Sequence, residues 1–143
     1  MDELDSKLLA ALIADSSTPV SALARRLGVA RSTVQARIER LERGGVIAGY
    51  TVRLGEAVLG RRIHATALLQ IEPRATAAVV GRISSMREVE TCHSTSGRFD
   101  MILRISAGTT AALDAVLDRI GGIPGVRGSE SLIHLSTKFD RSP

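Results

Sequence analysis

The stretch that most constrains the fold is residues 23–49, LARRLGVARSTVQARIERLERGGVIAG. Leu23, Ala24 and Leu27 give a short apolar face. Gly28 permits a sharp turn, and Val29 can plug the corner behind it. A longer run starts near Arg31 or Ser32, and Gly44 and Gly45 stop it, because glycine tolerates the left-handed backbone past a helix end. A short helix, a glycine-containing turn and a longer helix make a helix-turn-helix. In the longer helix Val34, Ile38 and Leu41 recur at i, i+4 and i+7, which is one buried stripe. Ser32, followed by Gln35 three positions on, predicts a capping box at its start.

The outward residues of that second helix are unevenly charged. At about 100° per residue, Thr33, Arg37 and Arg40 share one flank. Ser32, Ala36, Glu39 and Arg43 lie opposite the stripe, and Gln35 and Glu42 take the other flank. A cationic edge rich in hydrogen-bonding groups suits a helix lodged in a DNA major groove. The same residues would also serve a solvated amphipathic helix with pairs such as Glu39–Arg43. The helix and turn in front of it favour the first reading. Charge points the same way. The formal net charge is only +4, but residues 25–43 hold six arginines against two glutamates. That local excess favours a polyanionic partner. Tyr50, Phe99 and Phe139 are the only aromatics, too few for stacking-based recognition of single strands.

The full chain of 143 residues suits one or two small domains. No apolar run approaches the ~20 residues that span a bilayer, so no membrane association is expected. The start, MDELDSK, is acidic and has no signal-peptide core. Cys92 is the sole cysteine, which excludes an internal disulfide and fits a reducing, cytoplasmic setting.

Residues 2–14 read as a first helix buried through Leu4, Leu8, Leu9, Leu12 and Ile13, with Asp2, Glu3 and Asp5 at the positive end of its dipole. Thr18-Pro19 predicts an N-cap and first helical position for the next helix. Residues 46–53 read either as a wing hairpin or strand, or as a plain exit strand with no nucleic-acid contact. Residues 55–60, GEAVLG, are the candidate linker. After it the apolar period changes from 3.6 to 2. Ile63, Ala65, Ala67, Leu69 and Ile71 alternate with His64, Thr66, Leu68, Gln70 and Glu72, a strand that Pro73 ends. A helix over 75–86, strands over 89–96 and 99–106, a helix over 109–120 and a strand over 126–137 follow. The order β-α-β-β-α-β is the ferredoxin-like pattern, and the whole chain is therefore α+β. Its two helices must cover one face of the sheet. The other face carries Leu68 and Ile102 among His64, Thr66, Asp100 and Arg104, which suggests a second sheet packed on it in a dimer.

Chemistry of other kinds finds little footing. Strand alternation sends Cys92 and His93 to opposite faces, and His64 and His134 lie on strands elsewhere. No H-E-x-x-H or C-x-x-C spacing, phosphate-binding glycine loop or nucleophile elbow occurs. No metal, cofactor or catalytic residue is expected, and the chain is not read as an enzyme.

Taken in order, LDSKLL from Leu4, LARRLGVARSTVQARIERLE, GVIAGYTVRL, TCHSTSGRFD over 91–100 and IPGV over 123–126 resemble the Lrp/AsnC family of bacterial and archaeal transcription regulators. The resemblance covers residues 4–139. It implies a winged helix-turn-helix DNA-binding domain over 1–54, a linker over 55–61, and a ferredoxin-like effector-binding and oligomerisation domain over 62–143. It also implies homodimers that assemble further, often to octamers, and an amino acid as effector. Matching positions then acquire roles. Ser32, Thr33, Ala36 and Arg37 near the start of the recognition helix would read bases. Arg25, Arg31, Arg40 and Arg43 would hold phosphates, with Arg26 a further candidate. On this division Arg37→Ala relaxes specificity, whereas Arg40→Ala weakens binding evenly and flattens its salt dependence. The effector site would lie at the turn after the second sheet strand. There the Gly97 amide could meet a carboxylate and Asp100 an ammonium group, beside Arg98, with Ser131 and Ser129 on the last strand as further candidates. The alternative for that turn is purely structural, with Asp100 as a cap. An effector-independent architectural protein that bends or wraps double-stranded DNA is the alternative for the whole chain.

Overall fold

The computed structural model describes every residue, Met1–Pro143. The chain divides into two compact units, Met1–Arg53 with Asp140–Pro143, and Leu54–Phe139.

The first unit holds α1 (Glu3–Ala14), α2 (Val20–Leu27) and α3 (Arg31–Arg43). Leu8, Ala11 and Leu12 of α1, Leu23 and Ala24 of α2, and Val34 and Leu41 of α3 form its core, with Val29, Ile38 and Ile47 packed on it. Burying each leucine contributes about 1.5–3 kcal/mol. Gly28 closes α2 in the left-handed region, φ 67°, and the Val29 amide donates to the Ala24 carbonyl at 3.0 Å. A side chain at Gly28 would strain the tight turn between α2 and α3.

Several local expectations are corrected. Ile13 is 58% exposed; the buried stripe of α1 runs Asp5, Leu8, Ala11 and Leu12, and Ile13 is turned about 100° from Leu12. Pro19 is itself the cap residue of α2, and the Thr18 hydroxyl donates to the Asp15 carbonyl instead. No capping box forms at Ser32. Ala30 is the cap residue of α3, and its carbonyl accepts the Thr33 and Val34 amides. Ser32 is already inside the first turn, where it cannot cap. Gly44 stays right-handed, and the left-handed residue is Gly45, φ 73°. The wing is not formed. Residues 46–53 contain no strand. Tyr50 instead donates its hydroxyl to Glu42 at 2.8 Å.

The second unit begins with a short helix, α4 (Glu56–Leu59), inside the stretch read as linker. Then come β1 (Ile63–Ile71), α5 (Thr76–Ser84), β2 (Val89–Ser94), β3 (Met101–Ala107), α6 (Thr110–Gly121) and β4 (Val126–Ile133). The strands form one sheet in the order β2-β3-β1-β4, every neighbour antiparallel. Residues 65, 67, 69 and 71 of β1 are buried and their neighbours half-buried, as the alternation requires. Val79 and Ile83 of α5 and Leu113, Val116 and Ile120 of α6 complete the core over that face. β4 stops at Ile133, short of residue 137, because Ala65 is the last β1 residue paired with it. Gly125, φ 99°, enters β4 so close to α5 that an added Cβ would sit 2.3 Å from the Ala75 Cβ. No helix is long and apolar enough to cross a membrane.

Candidate nucleic-acid interface and effector turn

Ser32, Thr33, Ala36, Arg37 and Arg40 line a shallow hollow of about 410 Å³ along α3. The early start of α3 leaves the Ser32 hydroxyl free of capping and on this surface. Four of the expected readers are thus neighbours. Arg25, Arg26, Arg31 and Arg43 are exposed; only Arg43 of these makes a hydrogen bond, weakly, to the Glu39 carbonyl at 3.4 Å.

Arg37 and Arg40 stand apart from those arginines. Arg37 donates through Nη1 to Asp2 and, at 3.1 Å, to Asp5 Oδ1. Arg40 Nη2 meets Asp5 Oδ2 at 2.7 Å. The two carboxylates are locked to each other's backbone: Asp5 N donates to Asp2 Oδ1 at 2.9 Å and Asp2 N to Asp5 Oδ2 at 3.0 Å, a capping box at the start of α1. Asp5 is 1% exposed. A buried carboxylate is costly unless it is paired and hydrogen-bonded, and here two guanidinium groups and a backbone amide supply that. The Arg37 hydrogen bond, then the Asp5 amide, hold the Asp2 carboxyl down at about 2. The Asp2 amide, then Arg37 and Arg40, lower Asp5 against its desolvation. Arg37 is raised in turn. Asp2 and Asp5 escaped the sequence reading as partners of α3. The available signal was Asp5 itself, spaced three and seven residues before Leu8 and Leu12 and therefore on the core stripe, where a lone carboxylate requires a cation.

In the second unit the residues after β2 form a closed turn. The Thr95 amide donates to the Asp100 carbonyl at 3.0 Å and the Thr95 hydroxyl to the Phe99 carbonyl at 2.7 Å. Gly97 adopts φ 109° at its tip. Asp100 Oδ2 accepts the Ile71 amide at 2.7 Å, where the β1–β4 register shifts. That carboxylate caps a bulge, and its Oδ1 has no such bond. The Arg98 carbonyl accepts from Gln70 Nε2 at 3.2 Å, and its guanidinium lies 5.1 Å from the Phe99 ring centre and 3.9 Å from Glu130. Gln70 and Glu130 belong to the turn's surroundings and were not anticipated. Ser131 does not join them. It pairs with Ala67, on the helix-covered face, and Ser129 with Leu69 likewise, whereas Glu130 pairs with Leu68 on the open face. Side chains opposite one another across a ladder share a face.

A helix-turn-helix with an arginine-bearing second helix, followed by a ferredoxin-like sheet unit, defines a two-part DNA-binding regulator. Residues 1–42 match the AsnC-type helix-turn-helix domain, and residues 64–143 match the Lrp/AsnC ligand binding domain. The transcriptional regulator FL11 of Pyrococcus abyssi is 31% identical, over 96% of this chain and 91% of its own length. LrpA of Mycobacterium tuberculosis is 32% identical over 99% and 95%. A transcriptional regulator of Neisseria meningitidis, solved as an L-Met complex, has the same fold, with a TM-score of 0.89, 22% identity and coverage of 98% of this chain and 93% of that one. The chain belongs to the Lrp/AsnC family: it is a DNA-binding transcriptional regulator with a ligand-binding domain.

Proposed function

We propose that this regulator recognises specific duplex sequences in the cytoplasm through α3, and that an amino acid tunes it through the turn at residues 95–100. The observation that carries the DNA reading is the α3 hollow. There the exposed Ser32 and Ala36 and the half-buried Thr33 offer small, uncapped contacts in the first turns of a helix that follows a glycine turn. Such helices reach base edges mainly with their N-terminal residues. Arg37 lines the same hollow and joins the readers. Phosphate contacts fall to Arg25, Arg31 and Arg43, with Arg26 beside them, since these arginines have no ion pair within the chain. Residues 1–54 act on DNA, 62–143 on effector and assembly, and 55–61 join them.

Assembly as a homodimer is supported by the open sheet face. Leu68 and Ile102 sit directly opposite each other there, half-buried, with the half-exposed Leu132 across from Thr66. A second sheet would dehydrate them. Dimers would present two α3 helices to grooves about one helical turn apart, and octamers are the expected higher form.

At the turn, the Gly97 amide meets no acceptor within the chain. It suits a carboxylate, and Asp100 Oδ1 suits an ammonium group. The L-Met complex of the Neisseria meningitidis regulator, a protein of the same fold, supports an amino acid as the ligand class. Selection of bound duplexes from a random pool, followed by titration of the twenty amino acids against that duplex, tests both halves. Recovery of a phased or palindromic site and a shift in affinity or oligomer mass with one amino acid are expected. Recovery of no site and silence from all twenty would instead favour an architectural protein.

A further inference from the structure

The Asp2–Asp5 pair touches two arginines of α3, the partly buried Arg37 and the exposed Arg40. Arg37 is only 25% exposed along its side chain and binds both carboxylates; Arg40 binds Asp5. Asp5 is buried, so it cannot swing away. Asp2 is half-exposed, at 53%, but its backbone is fixed by the reciprocal bonds with Asp5. Two cations and two anions in contact leave this part of α3 with no net charge. The excess of four arginine charges in residues 25–43 therefore overstates what a phosphate backbone meets.

We propose that Asp2 and Asp5 are positioning residues that set specificity: they hold Arg37 and Arg40 against α1 and withhold them from sequence-independent phosphate contacts. Sequence-independent affinity grows with each phosphate that a cation neutralises, whatever the bases beneath it. A reading helix gains discrimination when its arginines, the reader Arg37 among them, are held in one position, because wrong sequences then lose the electrostatic grip they would share with the right one. The carboxylate of Asp2 is the removable part of the device. Asparagine caps helices as well as aspartate does. Asp2→Asn therefore keeps the hydrogen bond to the Asp5 amide through its oxygen while removing both the charge and the Oδ2 acceptor that binds Arg37, leaving one net positive charge in the cluster.

The proposal rests on the reading that α3 contacts DNA, and the experiment separates the two. Full-length protein and the Asp2→Asn and Arg31→Ala variants are titrated with a random-sequence duplex across salt concentrations. The thermal midpoints of all three are recorded alongside. Asp2→Asn is expected to bind the random duplex about three- to tenfold more tightly at low salt, with the log–log salt slope steeper by about one. Asp2→Glu, which restores the charge, should return the slope toward wild type. A purely structural role for Asp2 would lower the thermal midpoint and weaken binding, or leave the slope alone; either result overturns the proposal. If Arg31→Ala binds as wild type does, α3 is not the contact and both readings fall. If Arg31→Ala weakens binding and Asp2→Asn fails to tighten it, only the role of the carboxylates falls.

Discussion

The two units each bury one polar side chain, and they satisfy it in different ways. In the sheet unit it is Ser106, a neutral hydroxyl that needs only Arg62 Nε at 2.7 Å. In the helical unit it is Asp5, a carboxylate held by two arginines from α3 and an amide from α1. The sheet could be packed by apolar alternation with a single hydroxyl at its margin. The three-helix unit is small, and part of its α1–α3 contact is an ion network. The lesson is that the α3 surface proposed to meet DNA and the contact which holds the helices together share the same arginines, Arg37 and Arg40.

The largest expected effects test the apolar side of the comparison. Leu23→Ala and Leu69→Ala empty the centres of the helical and sheet cores, where both residues are fully buried. Each should cost about 2–5 kcal/mol, read from denaturant unfolding. A markedly smaller loss for Leu23→Ala would show that the ion network carries more of the helical unit than packing does. Gly125→Ala comes next. It combines a left-handed backbone with a Cβ collision against Ala75, and should cost the sheet unit about 1–3 kcal/mol. Asp100→Ala removes the acceptor for the Ile71 amide and should cost about 1–2 kcal/mol. Amide exchange at Ile71 should accelerate with it. An unchanged Ile71 exchange rate, with effector response lost, would make Asp100 a ligand residue and not a bulge cap.

Acid should separate the two units most cleanly, though with the smallest effect, because the Asp2–Arg37 pair is partly screened by solvent. The Asp2 and Asp5 carboxyls are lowered in the folded state. Their contribution is therefore fully present above the ordinary carboxylate range and is lost as pH falls through the folded values. For Asp2 that window runs from about pH 4 down to about 2. Amide exchange in α1 and α3 should rise in this window before exchange in β1 and β3 does. Asp2→Asn should blunt the difference.

Much of the fold was legible in the chain. Period-2 alternation from Ile63 to Ile71 gave β1 its bounds and its buried face, and Val34, Ile38 and Leu41 gave α3 its inward stripe. Both patterns are local consequences of backbone geometry. Capping and pairing were less legible, since they depend on where the chain turns next. Ser32 missed its capping role because α3 begins two residues earlier than a serine cap would need. The stretch over 46–53 made no wing, since it forms no strand, and its own residues do not announce that. The hollow on α3 was readable from helical spacing, but the tether on Arg37 and Arg40 spans more than thirty residues of sequence and three-residue spacing in α1 alone does not announce its partner. The face on which Ser131 lies, opposite to that of Glu130, could be supplied only by the β1–β4 register.

The central claim is that the grip on phosphate comes from the untethered arginines and not from the pair bound to α1. Salt titration of duplex binding by Arg31→Ala and Arg40→Ala, side by side, tests it. The account predicts a slope shallower by about one for Arg31→Ala and a slope close to wild type for Arg40→Ala. A flattened slope for Arg40→Ala with an unchanged one for Arg31→Ala would contradict it.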